Sequence, residues 1–326
     1  MAPESVTVMF GVMAEEITEL RAGHINRTYL VTSGDEKYIL QSLNASVYTE
    51  PGIVERNICE VMRCFRSADD VGVPEYLSCS QESILVRSGS EIWRMYRYIP
   101  GGVPASQAPA CAGYTCGAFI RTLGSGSPEL SPSIEGFHSF SHHFRQFTEA
   151  AEGYAMNGEL SSMTAFLTDI YSRISGVFAD LPVRPIHGDA KGDNFILTGS
   201  VRGGTAIDLD NVMYSYAAID YGDLIRSLAG AGDLSAAEQV TRGFAAGTAG
   251  VLSPEEEDSL YDGVIYVSAE LAVRYLTDFI KGAVFFRSKT PEQCLERARQ
   301  LCVQLKAFDA CADKFRSMTE RCFRKG

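Results

Sequence analysis

Short runs of apolar and β-branched residues, separated by turn signals, fill the first hundred positions of the chain. Thr28-Tyr-Leu-Val-Thr32 and Lys37-Tyr-Ile-Leu-Gln-Ser-Leu43 flank the polar turn Ser33-Gly-Asp-Glu36, the pattern of a β-hairpin. After Pro51, the positions Ile53, Ile58, Val61, Met62 and Phe65 recur at near-helical spacing, which predicts one amphipathic helix lying on the sheet. Val73–Leu77, Ser83–Arg87 and Ile92–Ile99 read as three further strands. The sum is a mostly antiparallel sheet of about five strands carrying one helix.

Pro100-Gly101-Gly102 ends that pattern, and helical periodicity dominates beyond it. Helices are expected at about 108–124, 138–152, 161–178, 234–251, 254–287 and 291–320, with a strand pair near 194–198 and 204–208. The expectation is an α+β, bilobal chain: residues 1–99 form a small β-rich lobe and residues 100–326 a larger, mostly helical one. Length agrees, because 326 residues exceed the roughly 250–300 at which single cores stop growing.

Charge and cysteine content narrow the function. The 41 acidic and 29 basic side chains give a formal charge of -12, which repels phosphate backbones and anionic lipid, so neither nucleic acid nor a membrane surface is an expected partner. Nothing approaches a membrane span or a signal peptide, and a cytoplasmic location is expected, with no obligate protein partner. The nine cysteines are odd in number and lack zinc-type spacing, so they read as reduced thiols.

The chemistry concentrates in Pro185-Ile-His187-Gly188-Asp189-Ala-Lys191-Gly-Asp193-Asn194, followed by Thr205-Ala-Ile-Asp208-Leu-Asp210. Phosphoryl transfer needs a carboxylate at the acceptor hydroxyl, oxygen ligands for magnesium and a nearby cation. Asp189 precedes one predicted strand, Asn194 lies five residues later, and Asp208 ends the next strand, so a hairpin brings Asn194 and Asp208 to one edge. Asp223 and Arg226 fit the start and first turn of a helix, and both Asp220 and Asp223 read as supports; Asp220 either braces the loop or is a simple cap. Ala22-Gly23-His24-Ile25-Asn26 could turn tightly over nucleotide phosphates, although one glycine before a strand is more often an ordinary turn.

His-x-Asp-x-Lys-x-x-Asn followed by a distant Asp is the spacing of a protein-kinase catalytic loop. With Gly188 where protein kinases carry arginine, it resembles the aminoglycoside phosphotransferase and choline kinase superfamily. Further segments narrow the likeness: G-H-I-N-x-T-Y-L-V, Y-I-L-Q-S-L-N, E-R-N-I, G-F-H at 136–138, A-I-D-L-D, D-Y-G-D-L-I-R and E-L-A-V-R-Y-L-T-D-F-I-K-G. Together, over residues 20–290, they resemble the N-acetylhexosamine 1-kinases.

That resemblance implies a protein-kinase-like fold and transfer of the ATP γ-phosphoryl group to the anomeric hydroxyl of N-acetylglucosamine or N-acetylgalactosamine, with Mg2+. It implies Asp189 as base, Lys191 as the cation near the moving phosphoryl group, and Asn194 and Asp208 as magnesium ligands. Gly23, His24, Ile25, Asn26 and Gln41 would line the nucleotide phosphates, with Tyr98 and Ile99 at the adenine edge. The sugar would meet Asp189, Asp210, Arg274 and Phe285. Two departures stand out: neutral Gln41 occupies the place of the usual strand lysine, a trait of the hexosamine kinases resembled, and Phe285 replaces an expected tyrosine. Glu270, Arg274 and Asp278 share one helix face at i, i+4 spacing, which equally describes a surface ladder of charges. Other readings are a kinase of another sugar, an aminoglycoside, choline or homoserine, and a nucleotide-binding pseudokinase.

Overall fold

The structure, a computed structural model, describes residues 3–20, 26–80, 83–198, 203–230, 233–286 and 289–324. Its β-rich part comprises α1 (Pro3–Met9), β1 (Glu16–Leu20), β2 (Arg27–Ser33), β3 (Glu36–Leu43), α2 (Pro51–Phe65), β4 (Val71–Gly72), β5 (Leu85–Ser88) and β6 (Glu91–Arg97). Five strands form one antiparallel sheet in the order β1-β2-β3-β6-β5. The alternation of side chains across the pleat gives each face its own task. Val31, Leu40, Trp93 and Met95 point outward and are covered by Val6, Phe10 and Val12. Ile39, Leu43, Ile92 and Tyr96 point inward, joining α2 in the main core.

The remaining elements are α3 (Pro109–Ser125), α4 (Phe140–Ala151), α5 (Gly158–Ile174), β7 (Arg184–Ile186), β8 (Phe195–Ile196), β9 (Gly204–Ala206), β10 (Met213–Ser215), α6 (Ala217–Leu228), α7 (Leu234–Thr248), α8 (Pro254–Asp258), α9 (Leu260–Lys281), α10 (Pro291–Ala310) and α11 (Ala312–Phe323). The β8–β9 pair is antiparallel with Phe195 opposite Ala206. Helices α6 and α9 meet backbone to backbone: a Cβ on Gly222 would lie 2.3 Å from the Gly263 carbonyl oxygen, and one on Gly263 would lie 2.0 Å from that of Ala218.

The α+β, bilobal, protein-kinase-like architecture is the expected one, with local differences. Val73–Leu77 is no sheet strand: it follows β6 through the bonds Leu77 N to Met95 O (2.8 Å) and Arg97 N to Glu75 O (3.1 Å) and one bridge, Tyr76 to Tyr96, since Pro74 has no amide hydrogen to donate. The fifth strand is instead β1, whose residues are all exposed or half-buried, so it gives no apolar signal. The span 254–287 breaks at Ser259 and closes at Gly282, a left-handed cap with φ +85°; 291–320 divides at Cys311. All nine cysteines are free thiols. Among the described residues no helix is long and apolar enough to cross a membrane.

Candidate active site

The catalytic-loop segment is held by several anchors. His187 is fully buried; its Nε2 donates to Ile207 O (2.8 Å) and its Nδ1 accepts from Asp189 N (3.3 Å), which fixes the orientation of the ring. Asp220, in the first turn of α6, accepts the amides of His187 (2.7 Å) and Gly188 (2.9 Å). It therefore braces the loop. Gly188 has φ +75°, and a Cβ there would sit 2.2 Å from Asn211 O, so position 188 excludes any side chain.

Asp189 Oδ2 accepts from Lys191 Nζ (2.6 Å) and Asn194 Nδ2 (2.9 Å), and Asn194 Nδ2 also reaches Asp189 O (2.7 Å). Burial pushes the Asp189 carboxyl up, yet Lys191, with His187 and Asn194, holds it below the ordinary carboxylate range. Across the hairpin, Ile207 N donates to Asn194 O (2.9 Å), which brings Asp208 beside Asn194. Asp208 itself is left-handed, φ +62° and ψ +56°, a conformation that costs a non-glycine residue of order 1 kcal/mol and clusters at functional positions.

Burial, Asp210 and Asp189 push the Asp208 carboxyl up to about 6, against Lys191 and Arg94. A carboxylate forced upward by neighbouring carboxylates is a ready place for a cation. Among the described residues no group of three His, Cys, Asp or Glu is set to hold a metal alone. Asn194 and Asp208 bring an amide and a carboxylate together, oxygen donors of the type that hard cations take.

The expected nucleotide side differs in its cation. Gln41 donates to Thr28 Oγ1 (3.3 Å) and accepts from Arg94 Nε (2.9 Å), Arg94 being its direct cross-strand neighbour on β6. Arg94 is fully buried, stands over the Tyr76 ring at 5.6 Å and pairs with Asp210; one guanidinium nitrogen, Nη2, has no hydrogen-bond partner among the described residues. The positive charge absent at position 41 is thus present one strand over. Asp210 also accepts from Asn26 Nδ2 (2.8 Å), so both of its oxygens are committed to the β-rich part and neither is turned to an acceptor. Tyr98 N donates to Lys37 O (3.0 Å), beyond the end of β6, so that amide is spent within the sheet; Ile99 follows half-buried. Gly23, His24 and Ile25 lie outside the described residues.

Helix α9 is no surface ladder. Glu270 and Asp278 are buried. Asp278 accepts the amides of Phe285 (2.7 Å) and Phe286 (2.8 Å), folding the chain after α9 back over it. Arg274 lies between rings, 5.0 Å from Phe137, 5.0 Å from Phe285 and 5.8 Å from Phe286; Phe285 keeps 45% of its surface exposed. Glu270 faces two histidines, His138 Nδ1 at 3.4 Å and His143 Nε2 at 3.2 Å. His143 Nε2 also donates to Phe137 O (2.9 Å), and Glu270 Oε1 is left without a hydrogen bond among the described residues. His138 Nε2 lies 2.7 Å from Gly188 O, tying Glu270 on α9 to the loop that carries Asp189.

Arg94 and the Glu270–His138 pair had no assigned role in the sequence. Arg94 carries a signal: it is the one charge at an inward position of the run Ile92-Trp-Arg-Met-Tyr-Arg-Tyr-Ile99. The contact of His138 with Gly188 crosses fifty residues, and no local pattern reports it.

Residues 16–254 match a family described as "Phosphotransferase enzyme family". Among solved structures, an aminoglycoside phosphotransferase from Alicyclobacillus acidocaldarius subsp. acidocaldarius is 15% identical with TM-score 0.66, over 98% of this chain and 97% of that one. Spectinomycin phosphotransferase in complex with ADP and spectinomycin is 12% identical with TM-score 0.64, over 95% and 97%. An ethanolamine kinase from Plasmodium vivax is 12% identical with TM-score 0.63, over 93% and 84%.

Proposed function

Because the chain belongs to the phosphotransferase enzyme family and is a small-molecule kinase by fold, we propose that it transfers the γ-phosphoryl group of ATP to the anomeric hydroxyl of an N-acetylhexosamine. The nucleotide assignment is supported by the ADP in the spectinomycin phosphotransferase structure. The acceptor reading rests on Arg274 among Phe137, Phe285 and Phe286, on a helix whose Glu270 is tied through His138 to the loop carrying Asp189. Those rings would cage a choline ammonium, but the protein's own guanidinium fills them. A polycationic aminoglycoside calls for an acidic wall, and the cavity beside Lys191 contains Arg226 and Arg297 instead.

In this reading Asp189 receives the acceptor proton. Its Oδ2 is occupied by Lys191 and Asn194, and Oδ1, without a hydrogen-bond partner among the described residues, takes the hydroxyl. A carboxylate held below its usual range is a weak base, which suits late proton loss in a loose transition state and an acceptor as acidic as an anomeric hydroxyl. Lys191 turns from Asp189 to the moving phosphoryl group. Asn194 and Asp208 would hold magnesium, which supplies charge neutralisation on the phosphates. Gly188 and Asp220 keep the loop rigid while this happens. The test is a panel of sugars with ATP, read by phosphorus NMR: N-acetylhexosamine 1-phosphate is expected, and phosphate appearing only on a 6-hydroxyl or only on a non-sugar alcohol overturns the assignment.

A further inference from the structure

A cavity of about 470 Å³ opens beside the catalytic loop, lined by Lys191, Asp193, Arg226, Arg297, Gln300 and Gln304 among others, a size that suits a small ligand. Three cations face one carboxylate there, in a chain whose overall charge is -12. Val303 is the one apolar side chain in the lining among the described residues, and no aromatic ring is present for a sugar to stack on. Resting on the kinase reading above and going beyond it, we propose that this cavity binds an anionic group, a carboxylate or a phosphate ester, carried by the acceptor.

Position and charge both support it. Lys191 is hydrogen-bonded to Asp189, so whatever occupies the cavity lies next to the base, on the side of α6 and α10. Arg226 spends Nε (2.9 Å) and Nη2 (2.6 Å) on a single oxygen of Asp223, which leaves part of its fork for a ligand. Gln304 Nε2 donates to Arg226 O (2.9 Å), pinning α10 against the end of α6. Arg297 donates to Gln300 Oε1 (3.1 Å) and has no carboxylate partner among the described residues. Arg226 from α6 and Arg297 from α10 thus line the same cavity. Asp189 and Asp223 sit behind Lys191 and Arg226 rather than in the lining, so the surface a ligand meets is cationic. An anion entering there makes charge-assisted, bidentate contacts that guanidinium geometry favours.

Three acceptors test this: a neutral N-acetylhexosamine, its 6-phosphate and its 6-carboxylate, each with the intact protein and with Arg297→Ala. We expect at least one anionic acceptor to exceed the neutral one in kcat/KM by about tenfold, the scale of one charge-assisted hydrogen bond. Which one it is separates phosphate from carboxylate. Arg297→Ala should bring the ratio of anionic to neutral acceptor near one, Arg297→Lys should keep part of it, and added salt should erode it. Equal or lower kcat/KM for both anionic acceptors overturns the proposal and leaves the hexosamine reading standing. So does an Arg297→Ala variant whose KM rises for ATP and not for the acceptor, since the cavity would then serve the nucleotide. If no hexosamine is phosphorylated but homoserine, an alcohol with a carboxylate, is turned over in an Arg297-dependent way, the anion site holds and the sugar reading falls.

Discussion

Replacing Glu270 by Gln isolates one buried charge that links α9 to the loop carrying Asp189. Gly188 O can only accept, so His138 Nε2 carries a hydrogen, while Nδ1 faces the Glu270 carboxylate. Burial presses the His138 pKa down, but Glu270 and Gly188 outweigh it and hold the ring above its usual value. For Glu270 burial pushes up, and the two histidines with Arg274 pull it from 4.5 down to about 2. At 1.36 kcal/mol per tenfold change in acid constant, that drop is worth about 3 kcal/mol, and an amide still able to accept from His138 returns about 1 kcal/mol of it. Glu270→Gln should therefore lose about 2 kcal/mol in urea unfolding at mildly acidic pH. The sign of the pH dependence follows from the two directions. Glu270 contributes fully above about 4.5, and its part fades as pH falls towards about 2. His138 contributes fully below its unfolded value near 6.5, and its part fades as pH rises through the higher folded value. The gap between native protein and variant should peak between these limits. A gap under about 0.5 kcal/mol, or one unchanged from about pH 3 to about pH 9, would refute the charged pair.

Asp189→Asn should cut turnover by roughly 10²–10⁴ while leaving ATP binding intact; a folded variant keeping a third of native turnover would remove Asp189 as base. Arg94→Met should cost about 3–5 kcal/mol by stranding buried Asp210, and adding Asp210→Asn should recover much of that loss; strictly additive losses in the double-mutant cycle would show no coupling across the parts. Arg274→Ala should raise KM for the sugar far more than KM for ATP, and a lowered melting temperature with both KM values unmoved would make it purely structural.

The arrangement of Asp189, Asn194 and Asp208 was legible because all three belong to one hairpin whose turn and strand signals are local. The hairpin of Thr28–Thr32 with Lys37–Leu43 was legible for the same reason, through the polar turn between two apolar runs. What escaped depends on contacts distant in sequence. β1 is too exposed to show a hydrophobic pattern, and α1 earns its place only by covering Val31 and Trp93. The pairing of Arg94 with Asp210 spans 116 positions. Glu270 and Asp278 fit a solvated ladder by spacing alone; only the histidines from residues 138 and 143 and the returning amides of Phe285 and Phe286 show that their face is covered.

The glycine contact between α6 and α9 limits how the proposed acceptor site can diversify. With no side chain between the two backbones, neither helix can slide or rotate without a clash, so Asp220 under the loop and Arg274 on α9 move as one body. Descendants of this sequence that favour another acceptor would then keep α6 and α9 in place. They would change the residues facing the cavity from α10, chiefly Arg297, Gln300 and Gln304, together with the segment following Gly282. A larger side chain at Gly222 or Gly263 would misalign the proposed base and the proposed acceptor residues together, so selection for new substrates should leave those two positions untouched while α10 drifts.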